Sequence, residues 1–415
     1  MLAFGEKTVE NKKNIAYLAP EIPALSATFV YQEILQLEEL NVEIKPVSIH
    51  RPSNKAISDV LIKLESDTFY LYEQSFFKII ILNILSIISS PFKFFTVFRM
   101  ALSDAINVGI TTHIGMGLLY RFIIAAGFVN YLKNNNIVHI HSNFAHIPTD
   151  IAMYAAALHG VTYSFNSHAN DLFERGWLLK EKVARAKFAV TISDYNKKFL
   201  IDKGANEKKI SVIHCGVDTA SFNKREYKEL SNPPILGSLG RMVDKKGFDV
   251  LISACGIIKR EGVAFKLQIA GGGPLKKELE DLVRTLDLTD TIDFIDSISH
   301  KDVFDWLKSL DIFVLPCKKD IHGDMDGIPV VLMEAMLSSV PVITTRISGI
   351  PELVVDETTG LICEPNDAIS LAKKIQFLLS DIKYRDDLCE NAILKVTAEF
   401  DLKENVKLLK HLLIE

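Results

Sequence analysis

Short apolar runs that end in polar or glycine-rich turns and then pass into helical segments recur along this chain, and that alternation admits few folds. NIAYLA (14–19) leads through a loop into FVYQEILQLEEL, where Phe29, Ile34, Leu37 and Leu40 follow helical spacing. Ser26 or Thr28 is the expected N-cap, and after Asn41 the run VEIKPVSI resumes as a strand. IVHIHSNFAH, VTYSFNSHANDLF, FAVTIS and KISVIHCGVD read as further strands, with helices expected to open at Pro148–Thr149 and after Ser193. Strand, loop, helix and strand in this order describe a doubly wound parallel sheet of the α/β class. Ligands of such sheets gather beyond the carboxyl ends of the strands. His141, His146, His168 and Asp171 fall at such ends. A lone histidine is more often structural than functional, but two neighbouring strands ending in histidine make His168 a candidate. The first loop lacks G-x-G-x-x-G, which argues against a nicotinamide dinucleotide.

The charged, proline-terminated stretch NKREYKELSNPP (223–234) reads as a linker, and 415 residues suffice for two domains with separate cores. Beyond it, ILGSLGRMVDKKGFDVLISACGIIKREG runs from a strand into Gly240 and Arg241, then a loop with Lys245, Lys246 and Gly247, then a helix. Glycine lets a backbone approach a phosphate, and Arg and Lys supply charge for it; a solvated basic turn is the plainer alternative. FKLQIAGGGPLKKELEDLV repeats the pattern with Gly271, Gly272, Gly273 and a helix expected from Pro274. DTIDFIDSI and DIFVLP are further strands, and the second leads into DIHGDMDGIPVVLMEAMLSSVPVITTRISGIPE (320–352). There Asp326 precedes a Gly-Ile-Pro turn, Pro329 suits the first turn of a helix, and Glu334 lies about two turns in. Free amides at a helix start attract anions, whereas a buried Glu needs hydroxyl or cationic partners. A sugar nucleotide supplies both phosphate and hydroxyls; a capping or salt-bridged Glu334 is the bland reading. The strand ends at Arg241, Gly271 and Asp326 are expected to face one crevice. The last helix, LKENVKLLKHLLI, opens on an Asp401–Glu404 capping-box pattern, and its stripe of Leu402, Val406, Leu409 and Leu413 requires a partner surface.

With 48% hydrophobic and 24% charged residues the chain is globular, and its net charge of −5 argues against general nucleic-acid binding. Cys215, Cys255, Cys317, Cys363 and Cys389 are scattered without a CxxC, which fits a reducing compartment better than a disulfide framework or a zinc site. The start, MLAFGEKTVENKK, lacks an apolar core of signal-peptide length and reads as a frayed tail. Residues 69–128 are unusually apolar, with Lys78, Lys93 and Arg99 interspersed. Their uncharged stretch, Ile79 to Phe92, is 14 residues long, short of the roughly 20 needed to span a bilayer. An interfacial helix pair with a basic rim and a long helix packed on the domain's own core account for it equally well. The following segment, ALSDAINVGITTHIGMGLLYRFIIAAGFVNYL, reads as a core helix.

Taken together, GRMVDKKGFDVLISA, IAGGGPLKKELE, DIFVLP, DGIPVVLMEAMLSSVPVITT, SGIPELV, TGLICEPND and VIHCGVDTASF resemble the retaining family 4 (group 1) glycosyltransferases, in order, over nearly all of 210–367. PEIPALSATFVYQEI and SHANDLF resemble the subgroup that builds bacterial exopolysaccharides of the colanic-acid and amylovoran type. The resemblance implies a GT-B fold, two Rossmann-like doubly wound domains facing an interdomain cleft. Residues 12–222 would form the acceptor-side domain with 69–128 as a helical insertion, 223–234 the linker and 235–392 the nucleotide-sugar domain. Residues 393–415 would form a helix packing back on the first domain. Arg241 and Lys246 would bind the donor diphosphate, with Gly271 and Gly272 and the backbone of Gly327, Ile328 and Val330 close to donor sugar or phosphate. Asp326 stands where the family usually has the first Glu of a Glu-x7-Glu pair and would contact sugar hydroxyls. Glu334, the second acid, would hold the ribose diol, and His168 would orient the donor sugar or acceptor. The implied donor is a UDP- or GDP-sugar with no cofactor and no obligatory metal, Asp324-Met325-Asp326 being a chance likeness to a DxD motif. The implied acceptor is a glycan, in particular a lipid-linked one, with the enzyme cytoplasmic and peripheral on the inner face of the membrane. A nucleotide-sugar 2-epimerase of the same fold and a non-catalytic sugar-nucleotide-binding subunit are the competing readings. No cofactor-lysine signature supports a phosphorylase.

Overall fold

The computed structural model describes residues 14–24, 27–52, 58–222 and 229–414. The tail before residue 14, Ser26 and linker residues 223–228 lie outside the described residues. The first domain runs β1 (Asn14–Glu21), α1 (Thr28–Glu39), β2 (Ile44–His50), α2 (Asp59–Asp67), β3 (Phe69–Tyr70), α3 (Phe76–Ser89), α4 (Pro91–Asn107), α5 (His113–Asn134) and β4 (Ile137–Asn143). It continues with α6 (Ile147–His159), β5 (Thr162–Ser167), α7 (Asn170–Phe173), α8 (Leu179–Arg185), β6 (Ala189–Thr191), α9 (Asp194–Asp202) and β7 (Ile210–Val212). The second domain runs β8 (Ile235–Leu239), α10 (Phe248–Arg260), β9 (Lys266–Ala270), α11 (Lys276–Thr285), β10 (Ile292–Ile295), α12 (His300–Ser309), β11 (Ile312–Leu315), α13 (Val330–Leu337), β12 (Val342–Thr345), α14 (Ile350–Leu353), β13 (Leu361–Cys363), α15 (Ala368–Ser380) and α16 (Ile382–Glu399). The last helix is α17 (Leu402–Ile414).

The strands form two parallel sheets, a seven-stranded one in the order β3-β2-β1-β4-β5-β6-β7 and a six-stranded one in the order β10-β9-β8-β11-β12-β13. Parallel strands covered by helices on both faces read as unbroken apolar runs. Accordingly Ala16 to Ala19 of β1 and all of β11 (IFVL) are fully buried. Each sheet reverses its strand order once, between β1 and β4 and between β8 and β11. Crevices beyond the carboxyl ends of the strands open at such switch points.

The first domain's main core lies between its sheet and α4, α5 and α6, and the second domain's around α10, α13 and α15. A third cluster covers the other face of β1 with Val30, Ile34 and Leu37 of α1 and Leu402, Val406, Leu409 and Leu413 of α17. The end of the chain is thus fastened to the first domain. Phe400 O accepts from Val217 N and Leu402 N donates to Val217 O, both at 2.9 Å, beside the linker. Asp401 accepts from Glu404 N at 3.0 Å, the expected cap. The boundary expected at residue 393 falls inside α16, because the helix breaks only at Phe400. At the other end Ala27, not Thr28, is the N-cap of α1, and no side chain caps it.

The apolar stretch is not one long helix. Ser90 and Pro91 break it into α3 and α4, bent by 118°. No residue of α3 is buried, whereas α4 buries the stripe Phe94, Val97, Ala101, Asp104 and Ala105. Among the described residues α5 is the one helix long and apolar enough to cross a membrane, and half of it is buried in this domain.

Candidate active site between the two domains

The site is built from loops that follow strands, stitched together by backbone bonds. Met242 N donates to Gly272 O at 2.8 Å, joining the loop after β8 to the loop after β9. Lys318 N donates to Lys245 O at 2.9 Å, joining the first of these to the loop after β11. Gly247 makes that last junction feasible. Its φ is +69°, and a Cβ there would lie 2.0 Å from Pro316 O, so only glycine fits. The strand ends expected to converge at Arg241, Gly271 and Asp326 do so.

Within this convergence the acids and lysines are paired. Lys246 Nζ lies 2.7 Å from Asp326 Oδ2, and Lys245 Nζ lies 2.7 Å from Asp324 Oδ2 and 3.5 Å from Asp326 Oδ1. Cys317 Sγ points at Asp326 Oδ2 from 3.4 Å. Burial works to raise the Asp326 carboxyl, but the two ammonium groups outweigh it and hold it below the usual carboxylate range. Lys246 is likewise held above the usual lysine range by Asp326, against burial. Asp326 takes one of three N–H donors of Lys246, leaving two for a ligand. Both acids of Asp324-Met325-Asp326 are therefore held by ammonium groups. Arg241 is exposed at the end of β8 and makes no ion pair with the described residues.

The helix α13 begins at Val330, with Pro329 as its N-cap (φ −64°, ψ 123°) rather than in its first turn. Glu334 is the fifth residue of α13, so it lies just over one turn in, closer to the helix mouth than the two turns expected. Gly327 and Ile328 are buried just ahead of the helix, Ile328 within the second domain's core. Glu334 lines a cavity of about 390 Å³ together with Thr28 and Gln32 of α1, Val330, Lys301 and Asp218. This cavity lies between the domains, and burial pushes the Glu334 carboxyl up to about 7.

Across the cleft, His168 follows β5 and is buried between Phe29 and Phe144, at centroid distances of 4.7 and 4.8 Å. Burial drives its pKa down to about 3, so the ring is neutral. Asp171 accepts from His168 N at 2.9 Å and Ala145 N at 2.6 Å, tying the ends of β5 and β4 together. Two other candidates serve the fold. His146 accepts from Ile147 N at 2.7 Å as the cap of α6, and His141 is buried with Nδ1 2.8 Å from Ser164 Oγ.

Reading the sequence missed what stands behind His168. Glu33 accepts from Tyr17 OH at 2.5 Å and from Asn166 Nδ2 at 3.2 Å. Asn143 Nδ2 donates to Tyr17 OH at 2.8 Å, and Asn143 Oδ1 lies 2.8 Å from His168 Nε2. The chain has one direction. Asn143 spends its N–H on Tyr17, so its oxygen faces the ring and assigns the proton to Nε2 of His168. Burial pushes the Glu33 carboxyl up to about 7 against the bonds from Tyr17 and Asn166. A signal was there, since Glu33 sits at i+3 in the stripe formed by Val30, Ile34 and Leu37.

The two domains touch at this point. Asn170 Nδ2 lies 3.4 Å from Asp324 Oδ2, and a Cβ on Gly327 would meet Ile192 Cδ1 at 2.7 Å. Glu352, from the second Gly-Ile-Pro turn, accepts from Asp194 N and Tyr195 N at 2.9 and 3.0 Å, the first two amides of α9 in the other domain, whose N-cap is the expected Ser193.

Comparison with known proteins follows the same division. The model of glycosyl transferases group 1 matches residues 220–395, and that of glycosyltransferase family 4 matches residues 103–221. The putative colanic acid biosynthesis glycosyltransferase WcaL of Escherichia coli K12 is 36% identical over 228 residues, 53% of this chain and 54% of its own length. The amylovoran biosynthesis glycosyltransferase AmsK of Erwinia amylovora is 34% identical over 211 residues, 49% of this chain and 52% of its own length. The chain thus spans about half the length of these curated relatives. The crystal structure of HepE from Anabaena in complex with UDP aligns with a TM-score of 0.72 at 15% identity, covering 96% of this chain and 99% of that one. Sucrose-phosphate synthase from Thermosynechococcus elongatus aligns with a TM-score of 0.72 at 18% identity, covering 97% and 98%. These likenesses establish the fold as GT-B over nearly the whole chain. The two family models together take in residues 103 to 395, a glycosyltransferase family 4 part followed by a glycosyl transferases group 1 part, and on that ground the chain belongs with the family 4 (group 1) glycosyltransferases.

Proposed function

We propose that this protein is a retaining glycosyltransferase that moves a sugar from a UDP- or GDP-sugar to a glycan acceptor in bacterial surface-polysaccharide synthesis. The observation that carries the reading is the pairing of Lys245 and Lys246 with Asp326 where Asp324 meets Asn170 of the first domain, two residues from His168, with Glu334 lining a separate cavity that both domains wall. Cations meet a diphosphate, an ionised carboxylate meets sugar hydroxyls, and a second acid in a cavity of about 390 Å³ meets a ribose diol. A relative's complex with UDP and the exopolysaccharide roles in the relatives' names are in keeping with this.

In the proposed reaction the bond from the anomeric carbon to the diphosphate breaks, and its electron pair leaves with the phosphate oxygen. Arg241, Lys246 and the N-terminus of α13 stabilise that charge, preorganised electrostatics being the usual main contribution to catalysis. The acceptor hydroxyl forms the new bond on the face from which the phosphate departs and passes its proton to the departing phosphate. No carboxylate acts as nucleophile, in contrast to the paired acids of retaining glycosidases. Neutral His168 orients the sugar or acceptor. Asp324 and Asp326 are engaged by lysines, and those ammonium groups with Arg241 meet the diphosphate charge, so transfer proceeds without an added metal.

The test is transfer from UDP- and GDP-sugars to a lipid-linked glycan extract, with and without a chelator. Arg241→Ala and Glu334→Ala are each expected to lower kcat/KM by roughly 100-fold or more. Rates unchanged in both variants would overturn the assignment. An isomerised nucleotide-sugar, detected by NMR without any acceptor, would instead establish the epimerase reading.

A further inference from the structure

We infer that the α3–α4 hairpin is a docking surface for an anionic lipid bilayer, on which it lies in the plane of the headgroups without crossing. Nothing in the transferase proposal is needed for this. On α3, Phe76, Phe77, Ile81, Leu85 and Ile88 are 71, 77, 56, 53 and 72% exposed, and Phe92 at the start of α4 is 91% exposed. Monomeric soluble proteins rarely expose contiguous apolar patches beyond a few hundred Å². Here every residue of α3 is at least partly exposed, and only its inner edge, Ile79 and Ile87, rests against the core.

Charge selects the occupant. Between Glu73 and Asp150 the only acid is Asp104, which is buried and held by Arg185 at 2.6 Å. The same span carries Lys78 and Arg99, both exposed, and the half-buried Lys93, in a chain of net charge −5. An apolar face flanked by Lys78 and Arg99, with the nearest acid, Glu73, already paired to Arg51, complements a surface that is apolar within and negative at its boundary. A second copy of this chain would bring cations against cations. Length sets the depth: 14 residues of α3 extend about 21 Å, short of the roughly 30 Å hydrocarbon core. The 118° bend keeps α3 and α4 from aligning into one straight span, and α4 is held to the domain by its buried stripe. Behind α3 lies a pocket of about 170 Å³ with an apolar wall of Phe69, Ile79, Leu82 and Phe128 and a polar one of Lys78, Asn130 and Asn134, the pairing of surfaces that a lipid's chain and headgroup present.

The experiment is flotation of the purified full chain with phosphatidylcholine vesicles containing or lacking phosphatidylglycerol, at low and high salt. Binding is expected to anionic vesicles and to weaken, not vanish, at high salt. A triple variant, Phe76→Ser with Phe77→Ser and Ile88→Ser, is expected to lower partitioning by at least roughly tenfold. Lys78→Glu with Arg99→Glu is expected to remove the preference for anionic lipid. All these side chains are exposed, so the thermal midpoint of each variant and its nucleotide-induced shift stay as in the parent and report folding and donor binding separately from docking. Parent protein that stays with the aqueous phase at low salt overturns the inference, whether monomeric or paired through this face by light scattering. So does vesicle binding that the triple variant retains in full.

Discussion

At the scale of single residues, Glu334 and Tyr17 give the sharpest tests. Burial holds the folded Glu334 carboxyl at about 7, above its ordinary 4.5. Between those two pH values the folded form binds a proton that the unfolded form has released, so stability falls as pH rises through that window. Glu334→Gln is expected to flatten this part of the stability curve, as read by thermal melts from pH 4.5 to 8. A ribose diol that donates to the carboxylate favours its ionised form. Nucleotide affinity is therefore expected to increase as pH rises through about 7, with proton release measurable by calorimetry in buffers of different ionisation enthalpy, and Glu334→Gln should remove that dependence. Tyr17 is the hinge of the chain from Glu33 to His168. Tyr17→Phe strands the Asn143 N–H in a buried site, at an expected cost of about 1–3 kcal/mol in urea unfolding. Freed from its one-way chain, Asn143 can turn, so the ¹⁵N shifts of His168 are expected to move from a pure Nε2–H form toward a mixture.

At the scale of elements, most strands and helices announced themselves and their ends did not. The Asp401 cap and the stripe of α17 were legible because capping and helical spacing are local. Leu409 is 1% exposed in that stripe. Leu409→Ala is expected to destabilise the protein by about 2–5 kcal/mol in urea unfolding, and an unchanged midpoint would mean that α17 is not fastened to α1. Pro329 fits the first turn of a helix by conformation, yet the chain places it one residue earlier, as the N-cap of α13. Local preference does not distinguish those two positions. For α3 and α4, composition admitted both a buried helix and an interfacial pair. Burial separates them, α4 having a fully buried stripe and α3 only Ile79 and Ile87 resting against the core.

At the scale of the whole molecule, polar contacts across the cleft help hold the two domains in register. The clearest is Glu352, whose carboxylate accepts from the first two amides of α9 across the cleft. A hydrogen bond contributes about 0.5–1.5 kcal/mol net, so losing these two is enough to shift a domain equilibrium while each domain keeps its own core. Glu352→Ala is expected to raise the radius of gyration in X-ray scattering without lowering the unfolding midpoint by more than that amount allows. A scattering curve identical to the parent's would show that Gly327 against Ile192 and the other apolar contacts suffice to hold the domains.

By itself the sequence determined the α/β class, the division into two domains, and the identity of the polar residues at the strand ends. Hydrophobic periodicity, turn residues and glycine placement are properties of neighbouring residues, and they survive without any knowledge of the fold. Only the tertiary structure decided which of those residues meet. Lys246 and Asp326 are separated by 80 positions and Tyr17 and Asn143 by 126, yet both pairs are in contact. Parallel sheets bring distant strand ends side by side, and no local preference encodes that pairing. Which apolar face stays uncovered is decided there too, because burial belongs to the assembled molecule and no residue of α3 is fully buried.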